Sequence, residues 1–424
     1  MSRWAVVGAG YTGVAVAAAM IEAGMDLDVL DRRGQVGGLW TDGAYDSVRL
    51  ITTRKVSAFR DRPMPAGEVF PTGPELLSYL QQVARDSGVT AALRPQRVEA
   101  VTPTPTGWSV DGTAYDGVVL ATGMFTERRI PSLPGQLSIP ALHTADYRHV
   151  GQLGDDVLVV GLGNSGADVA QECVKAGKRV TIAVRRARHV VPKRVLGQPV
   201  VEMHRPPYVP DLPVRLALDL GVRALSAYWR RGRLAQPRHL VLAESPVVHS
   251  ALLPLVSSGA IGVRPGVTAV DGAAVRFSDG TSATYDTVVW ATGYDYSLPV
   301  DRRLLDGSSA PYGATPLSLV GGAWSPVSPG LAAVGHREPR HGRGPYLSAL
   351  AGLVVAGAQA QDRTAEPIGA VLAGTVAPQA TALVDDGPEL RRLHRLTTVA
   401  RQTGWNTQPT VPRPEWTATE GPTS

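Results

Sequence analysis

The sequence contains one arrangement of residues twice, and this duplication limits the folds open to the chain more than any other feature. A short apolar run leads into the motif GAGYTG at residues 8–13, and a second run leads into GLGNSG at residues 161–166. Each unit closes with an apolar run ending in Ala-Thr-Gly, at residues 121–123 and 291–293. Continuous apolar runs are typical of buried parallel strands, so the repeat predicts two α/β units.

The residues after each glycine motif alternate between helix and strand patterns. Ala-rich helical stretches at 14–23 and 167–175 are followed by apolar strand patterns at 27–30 and 180–184. A β-α-β order in both units predicts an α/β fold with two doubly wound, Rossmann-like dinucleotide-binding domains. The pairs Asp111-Gly112 and Asp279-Gly280 each follow a strand pattern and predict hairpin turns.

The first glycine motif has the surroundings that dinucleotide binding requires. Gly8 permits the tight turn, Gly10 lets the backbone approach a diphosphate, and Gly13 allows helix and strand to pack closely. The following helix N-terminus would present free N–H groups to the anion. Asp31 ends the next strand pattern, where a carboxylate accepts hydrogen bonds from the adenosine ribose. We interpret this unit as the FAD site, and Gly38, Leu39, Trp40 and Thr122 complete its candidate residues.

The second motif repeats this logic but ends its second strand differently. Arg185 and Arg186 stand where the first unit has an acid, and arginine suits the 2′-phosphate of NADP through charge-assisted bonds. A solvated basic turn is the alternative reading of these arginines. We therefore predict NADPH rather than NADH in this unit. Its candidate residues are Gly161, Gly163, Asn164, Ser165, Gly166, Arg185, Arg186, Thr292 and Gly293.

Composition excludes several other classes of protein. The formal charge is +5, but the basic residues are spread along the chain, so we expect no nucleic-acid partner. No apolar run is long enough to span a membrane, and the glycines of the first motif argue against a signal peptide, so we expect a cytoplasmic protein. Cys173 is the only cysteine, which excludes a disulfide reductase because that class needs a redox-active cysteine pair. We expect no metal site, although His336 and His341 share one loop.

Taken together, these motifs resemble the flavin-containing monooxygenase family, the single-component monooxygenases that use FAD and NADPH. The resemblance covers roughly residues 3–360 and is closest to the YUCCA-type branch and its bacterial relatives, through the stretch at 185–197. The family's fingerprint between the two nucleotide motifs ends in a pattern that residues 143–148, HTADYR, fit. Two positions depart from the family: residues 137–139 lack the usual Phe-x-Gly, and Thr52 stands where many heteroatom-oxidising members carry asparagine.

The resemblance implies the chemistry. NADPH would reduce FAD, O2 would add to give a C4a-(hydro)peroxyflavin, and a small molecule would be oxygenated at nitrogen or sulfur. A Baeyer–Villiger monooxygenase acting on a carbonyl substrate is the alternative, although Tyr147 departs from the tryptophan of that branch's fingerprint. A flavoprotein without turnover is a third hypothesis, which two complete nucleotide motifs disfavour. His143 and Tyr147 are the candidate catalytic residues, and a structural histidine in the linker is the other reading of His143.

The expected organisation is a discontinuous FAD domain with the NADPH domain inserted into it. We assign residues 1–150 and 294–403 to the FAD domain, 151–293 to the NADPH domain, and 404–424 to a disordered tail. The apolar run at 330–335 would be a late strand beneath the flavin, and 347–361 the helix after it. The segment 200–245 departs most from Rossmann alternation; its aromatic residues, Tyr208, Tyr228 and Trp229, would line a substrate channel or pack a small core. The oligomeric state, including a homo-oligomer, stays open.

Overall fold

The computed structural model describes residues 2–203, 211–230, 234–241, 243–340, 342–375, 383–384 and 386–403. The tail from residue 404, Tyr208 and His341 lie outside these residues, and so do the side chains of Tyr228 and Trp229. Strands and helices alternate from the first residues onward. Up to residue 143 they are β1 (Arg3–Val7), α1 (Tyr11–Glu22), β2 (Asp26–Asp31), α2 (Leu39–Asp42), α3 (Arg54–Ser57), α4 (Gly73–Asp86), α5 (Val89–Ala92), β3 (Leu93–Pro95), β4 (Val101–Thr104), β5 (Gly107–Val110), β6 (Thr113–Tyr115), β7 (Gly117–Leu120), β8 (Glu127–Arg128) and β9 (Ala141–His143).

The second glycine motif opens another series with the same alternation. Short 3-10 turns lie at Val150–Gln152 and Val200–Glu202. The elements that follow residue 155 are β10 (Asp156–Val160), α6 (Asn164–Lys175), β11 (Arg179–Val184), β12 (Val190–Val191), β13 (Arg194–Val195), β14 (Gln198–Pro199), α7 (Asp211–Arg230), β15 (Val247–Val248), α8 (Leu252–Ser258), β16 (Ile261–Pro265), β17 (Val267–Asp271), β18 (Ala274–Phe277), β19 (Ser282–Thr284), β20 (Thr287–Trp290) and β21 (Tyr294–Asp295).

The remaining chain is mostly helical and returns to the first unit. Its elements are α9 (Arg302–Asp306), β22 (Leu331–Ala333), β23 (Glu338–Pro339), α10 (Arg343–Gln361), α11 (Ile368–Ala373), β24 (Leu383–Val384) and α12 (Asp386–Gln402). The late strand and the helix after it exist as predicted, and the helix begins four residues earlier than the predicted start at 347. Helix α10 is buried along most of its length, because Ala and Gly let neighbouring elements approach from several sides.

Two five-stranded sheets organise the chain, and every strand pair within them is parallel. The first sheet has the order β22-β7-β1-β2-β3, and the second has the order β16-β11-β10-β20-β9. In each sheet the strand before the glycine motif lies at the centre, with fully buried valines such as Val6 and Val159. The two doubly wound α/β units predicted from the repeat are therefore present.

Strand β9 gives the first difference from the expected organisation. It pairs with β20 in the second sheet, where His143 lies opposite Trp290. If the units are divided by the sheet that each strand joins, this first part of the first unit ends before Ala141, whereas the sequence placed the boundary at residue 150. The sequence pattern of β9 is short and partly exposed, so it does not reveal which sheet it joins.

Each unit contains one of the predicted hairpins, and two short strands lie between the units. Strands β5 and β6 pair across Asp111 and Gly112, which both have positive φ (46° and 91°), as the predicted turn requires. Strands β18 and β19 form the second predicted hairpin. Strands β8 and β21 pair with each other in antiparallel fashion, so the two passages of the chain between the units run side by side.

In the described part of the chain, no helix combines the length and apolar character needed to cross a membrane.

Candidate active site

A cavity of about 1910 Å³ lies at the carboxyl ends of the first sheet's strands, where it is bordered by Val7, Leu30 and Ala121, and it reaches Asn164 in the second unit. In open α/β sheets, ligands bind outside the carboxyl ends of the strands. Several predicted residues border the cavity: Gly8, Gly10, Asp31, Gly38, Leu39, Trp40, Thr122 and Asn164. The cavity therefore joins the first glycine motif, the Gly-Gly-Leu-Trp segment and Asn164 of the second motif in one space.

The glycines of the first motif divide into two kinds by what surrounds them. A Cβ on Gly8 would lie 2.5 Å from the carbonyl oxygen of Ala121, and one on Gly13 would lie 1.8 Å from that of Gly8. These two glycines are needed for packing of the protein against itself. Gly10 has room for a Cβ, whose nearest neighbour would be the Cα of Gly38 at 3.7 Å. Gly10 and Gly38 thus bring two backbone segments together at the cavity wall.

Helices α1 and α6 both begin with unused hydrogen-bond donors. Each starts after a glycine that provides no side-chain cap, and neither has an acidic residue in its first turn. The first amides of such a helix have no partner within the helix, and they carry the positive end of its dipole. In addition, the buried Oγ1 of Thr122 has no hydrogen-bond partner among the described residues. These donors suit the diphosphate of a dinucleotide in each unit.

Asp31 is held in place by backbone amides. The N–H of Ala9 donates to Oδ2 at 3.0 Å, and the N–H of Arg33 donates to Oδ1 at 2.9 Å. The residue is 7% exposed and borders the cavity. Each carboxylate oxygen has a further lone pair, so the group fits the predicted ribose contact while its position stays fixed.

The second motif repeats the same division of its glycines. A Cβ on Gly161 would lie 2.4 Å from the carbonyl oxygen of Ala291, and one on Gly166 would lie 2.5 Å from that of Gly161. No atom lies within 4 Å of a Cβ on Gly163, which therefore faces open space at the start of α6. The Oδ1 of Asn164 accepts the N–H of Val248 at 2.8 Å, so this side chain also fixes the strand beside it.

The predicted 2′-phosphate residues directly follow β11 and do not border the cavity. Arg185 and Arg186 are exposed, and Arg186 pairs with Glu244 at 3.0 Å. Glu244 itself borders the cavity. The sequence gives no signal for this pair, because the two residues are far apart in the chain and Glu244 belongs to no motif.

His143 and Tyr147 do not border the cavity either, and their contacts are structural. The Nδ1 of His143 accepts the N–H of Ala145 at 3.1 Å, which leaves Nε2–H to donate to the carbonyl of Gly293 at 2.9 Å. Burial lowers the pKa of this histidine. The phenol of Tyr147 donates to Glu172 and is fully buried. These contacts join the linker to the second unit and favour the structural interpretation of His143.

A polar contact between the units was not predicted from the sequence. The phenol of Tyr45, in the first unit, donates to the carboxylate of Asp168 on α6. The Nε2 of His249 lies 3.3 Å from the other oxygen of Asp168, and its Nδ1 accepts the N–H of Leu252 at 3.0 Å. Burial raises the pKa of Tyr45, so the phenol stays a donor at neutral pH. This contact fixes the second turn of α6, where Asp168 lies, relative to the first unit.

The remaining predicted residues belong to the glycine motifs and to the second Ala-Thr-Gly segment, and they do not border the cavity. They are Gly13, Gly161, Gly163, Ser165, Gly166, Thr292 and Gly293. Gly293 has a φ of +85° and open space at its Cβ position, and Gly123 has the same features in the first unit. The repeated Ala-Thr-Gly segments therefore form equivalent turns at the ends of β7 and β20.

Two parallel dinucleotide-type units that open on one cavity define a two-nucleotide oxidoreductase. Residues 1–308 match the family described as "Flavin-binding monooxygenase-like". The chain belongs to this family of flavin monooxygenases, which are enzymes that use FAD and NADPH.

Individual relatives agree with this assignment. The chain is 30% identical over 318 residues to indole-3-pyruvate monooxygenase YUCCA1 of Oryza sativa subsp. japonica, with 69% of this chain and 77% of that protein covered. It is 27% identical over 336 residues to flavin-containing monooxygenase 5 of Oryctolagus cuniculus, covering 70% and 62%. The YUCCA-type resemblance seen in the sequence is thus confirmed.

Solved structures show the same fold. An open crystal structure of cyclohexanone monooxygenase superposes with a TM-score of 0.72 at 19% identity, covering 95% of this chain and 97% of that one. The flavin-containing monooxygenase from Stenotrophomonas maltophilia gives a TM-score of 0.61 at 22% identity, covering 85% and 99%. Both are flavin monooxygenases with FAD and NADPH domains.

Proposed function

We propose that this flavin monooxygenase oxygenates a small molecule at nitrogen or sulfur, with a C4a-(hydro)peroxyflavin as the oxygenating species. The observation that carries the proposal is the shared cavity, which is bordered by Gly8 and Gly10 of the first glycine motif and by Asn164 of the second. A nicotinamide and a flavin bound at the two motifs would meet in it. Bound FAD supplies the redox chemistry by accepting hydride from NADPH and activating O2.

The protein's own part is to bind, orient and exclude water. The N-termini of α1 and α6 provide backbone donors for the two diphosphates, and Asp31 provides the ribose acceptor. We assign the FAD domain to residues 1–150 and 294–403 and the NADPH domain to 151–293, apart from β9. Apolar side chains form much of the cavity wall, and such a wall slows entry of water to the reacting atoms. A soft nitrogen or sulfur nucleophile needs no catalytic acid or base from the chain.

A carbonyl substrate is the second candidate. Several relatives are named indole-3-pyruvate monooxygenases, and a pyruvate contains a carbonyl group next to its carboxylate. Oxygen insertion next to a carbonyl is the Baeyer–Villiger alternative. The cavity border includes Arg340 and Arg343, which would suit the carboxylate of such a substrate.

Stopped-flow absorbance of the holoprotein tests the proposal. The protein is reduced with NADPH without oxygen and then mixed with O2. A long-lived species that absorbs like a C4a-(hydro)peroxyflavin, and that decays faster when an alkyl sulfide or amine is added, supports oxygenation at a heteroatom. Acceleration by a 2-oxo acid alone supports the carbonyl candidate. Direct return to oxidised flavin with release of hydrogen peroxide contradicts both.

A further inference from the structure

One part of the cavity wall contains a cluster of aliphatic residues. They form a small cluster in which Val191, Val241 and Val248 are buried, and every member also borders the cavity. We call this cluster the aliphatic lobe, and its residues are Ile51, Val191, Val200, Val222, Val241 and Val248. All six side chains are branched at Cβ and therefore have few rotamers, so they form a stiff wall.

The aliphatic lobe lies between the two nucleotide motifs. On one side, Thr52 follows Ile51, and the Oγ1 of Thr52 lies 2.8 Å from the Oγ of Ser57. The backbone carbonyl of Ser57 accepts a hydrogen bond from the phenol of Tyr11, which lies in the first turn of α1. On the other side, the N–H of Val248 donates to Asn164 in the first turn of α6. These short connections place the lobe beside both cofactor sites, where a substrate must be held.

Aromatic side chains also border the cavity, but they are not members of the aliphatic lobe. In the described chain these are Tyr11, Trp40, Tyr45, Phe125 and Tyr294, which belong to the glycine motif, the loops after it and the linker strands. None of them belongs to the lobe. An aromatic substrate is commonly held by stacking or edge contacts with other rings, and the lobe provides no such partner.

The lobe also extends toward the surface with the same character. The cavity border also includes four further apolar residues near the lobe: Val201, Met203, Ala217 and Leu218. Met203 is 51% exposed and Leu218 is 41% exposed. In the described part of the chain, apolar side chains thus extend from the lobe to exposed positions, which suits a long hydrocarbon group whose reactive end reaches the cavity.

We propose that the substrate carries a flexible aliphatic group, as in an alkyl sulfide or alkylamine, and that this group occupies the aliphatic lobe. The inference rests on the proposed function and adds the substrate class to it. It also separates this chain from the relatives named for indole-3-pyruvate, whose indole is aromatic. If the six residues were only the core of the segment 190–248, they would stabilise the fold without choosing between substrates.

Two sulfides of equal carbon number test the inference: methyl n-hexyl sulfide and thioanisole. Sulfoxide formation by the FAD-loaded enzyme with NADPH and O2 gives KM for each. We expect KM for methyl n-hexyl sulfide to be lower by about tenfold or more, the usual discrimination of an apolar pocket. Equal values, or a lower KM for thioanisole, would overturn the inference and leave the proposed function intact.

Variants locate the effect. Val222→Phe fills the lobe from α7, and we expect it to raise KM for methyl n-hexyl sulfide about tenfold and to change KM for thioanisole much less. Val222→Ala enlarges the lobe with little risk to folding, and we expect it to favour methyl n-octyl sulfide over methyl n-hexyl sulfide. Val327→Phe is the matched control, because Val327 is 37% exposed and outside the cavity border. Equal effects of Val222→Phe on both probes would contradict a role in substrate choice.

A separate readout keeps the two proposals distinguishable. If neither sulfide is oxygenated, the proposed function fails at sulfur, and equilibrium dialysis of the same probes against the holoenzyme with NADP+ decides the inference. Binding of methyl n-hexyl sulfide about tenfold tighter than thioanisole, weakened by Val222→Phe, supports the lobe as the binding site. Equal binding of both probes overturns it.

Discussion

Gly163→Ala separates the contribution of the second glycine motif to cofactor binding from its contribution to folding. Gly163 has an extended backbone (φ −114°, ψ −177°), which alanine adopts without strain. Its added Cβ would meet no atom within 4 Å. We therefore expect the free energy of unfolding without NADPH to increase slightly, by no more than about 0.5–1 kcal/mol.

The effect on NADPH follows from the same open space. The middle glycine of this motif lets a diphosphate approach the backbone at the start of α6. A methyl group there keeps the anion away from at least one of the free amides, and a hydrogen bond to a charged group contributes about 1.5–3 kcal/mol. We expect KM for NADPH to rise about 10- to 150-fold, since 1.4 kcal/mol corresponds to about tenfold in affinity.

Gly166→Ala is the matched control for this prediction. Its Cβ would lie 2.5 Å from the carbonyl oxygen of Gly161 and 3.1 Å from the Cβ of Ala291. Such overpacking costs about 1–3 kcal/mol of stability. The assay is steady-state NADPH oxidation with urea unfolding and FAD content measured on the same preparations. Unchanged KM for NADPH in Gly163→Ala, or a loss of stability equal to that of Gly166→Ala, would refute the reasoning.

Three further predictions concern stability, pH and cofactor choice. Arg302 is 5% exposed and bonds to Asp306 and to several backbone carbonyls, so Arg302→Ala should lower the free energy of unfolding by about 3–5 kcal/mol in urea melts. The control Arg303→Ala removes an exposed side chain and should change the free energy of unfolding by less than about 0.5 kcal/mol. Burial, with the charge of Arg343 nearby, lowers the pKa of His336 to about 4, and its ring nitrogens have no hydrogen-bond partner among the described residues. Between about pH 6.5 and pH 4 the unfolded chain binds one proton more than the folded chain, so the free energy of unfolding should fall by about 3 kcal/mol as the pH drops through that window. When unfolding is measured against pH, His336→Phe should lose less stability over the same window. Equal losses in the two proteins would contradict this. Replacing Arg185 and Arg186 together by alanine should raise KM for NADPH about tenfold or more and leave KM for NADH nearly unchanged, and a parallel rise for both cofactors would assign the arginines to a solvated turn.

The features that could be read from the sequence are those that local backbone geometry dictates. Gly8 and Gly161 have φ values of +107° and +116°, and such turns favour glycine strongly enough to mark the strand–helix junction. The central strands are buried on both faces and therefore appear as continuous apolar runs. The two units, their cofactor motifs and both hairpins follow from signals contained within a few neighbouring residues.

Other features depended on contacts between distant parts of the chain. Strand β9 joins the second sheet, and His143 contacts backbone atoms instead of the cavity, although its motif lies between the two units. Arg186 pairs with Glu244, and Tyr45 bonds to Asp168 on the other unit. No periodicity or spacing encodes these pairs, because each depends on how two separately formed elements pack.

The aliphatic lobe shows the same limit at the substrate site. Its members come from a loop of the first unit, from the segment between β11 and α7, from α7 itself and from the segment after it. Each is an ordinary apolar residue in its own stretch of sequence. The sequence by itself determined the fold class and the cofactors, since phosphate-binding turns impose backbone constraints that only particular residues satisfy. Only the tertiary structure decided which side chains face the shared cavity, since that choice is made by the packing of one unit against the other.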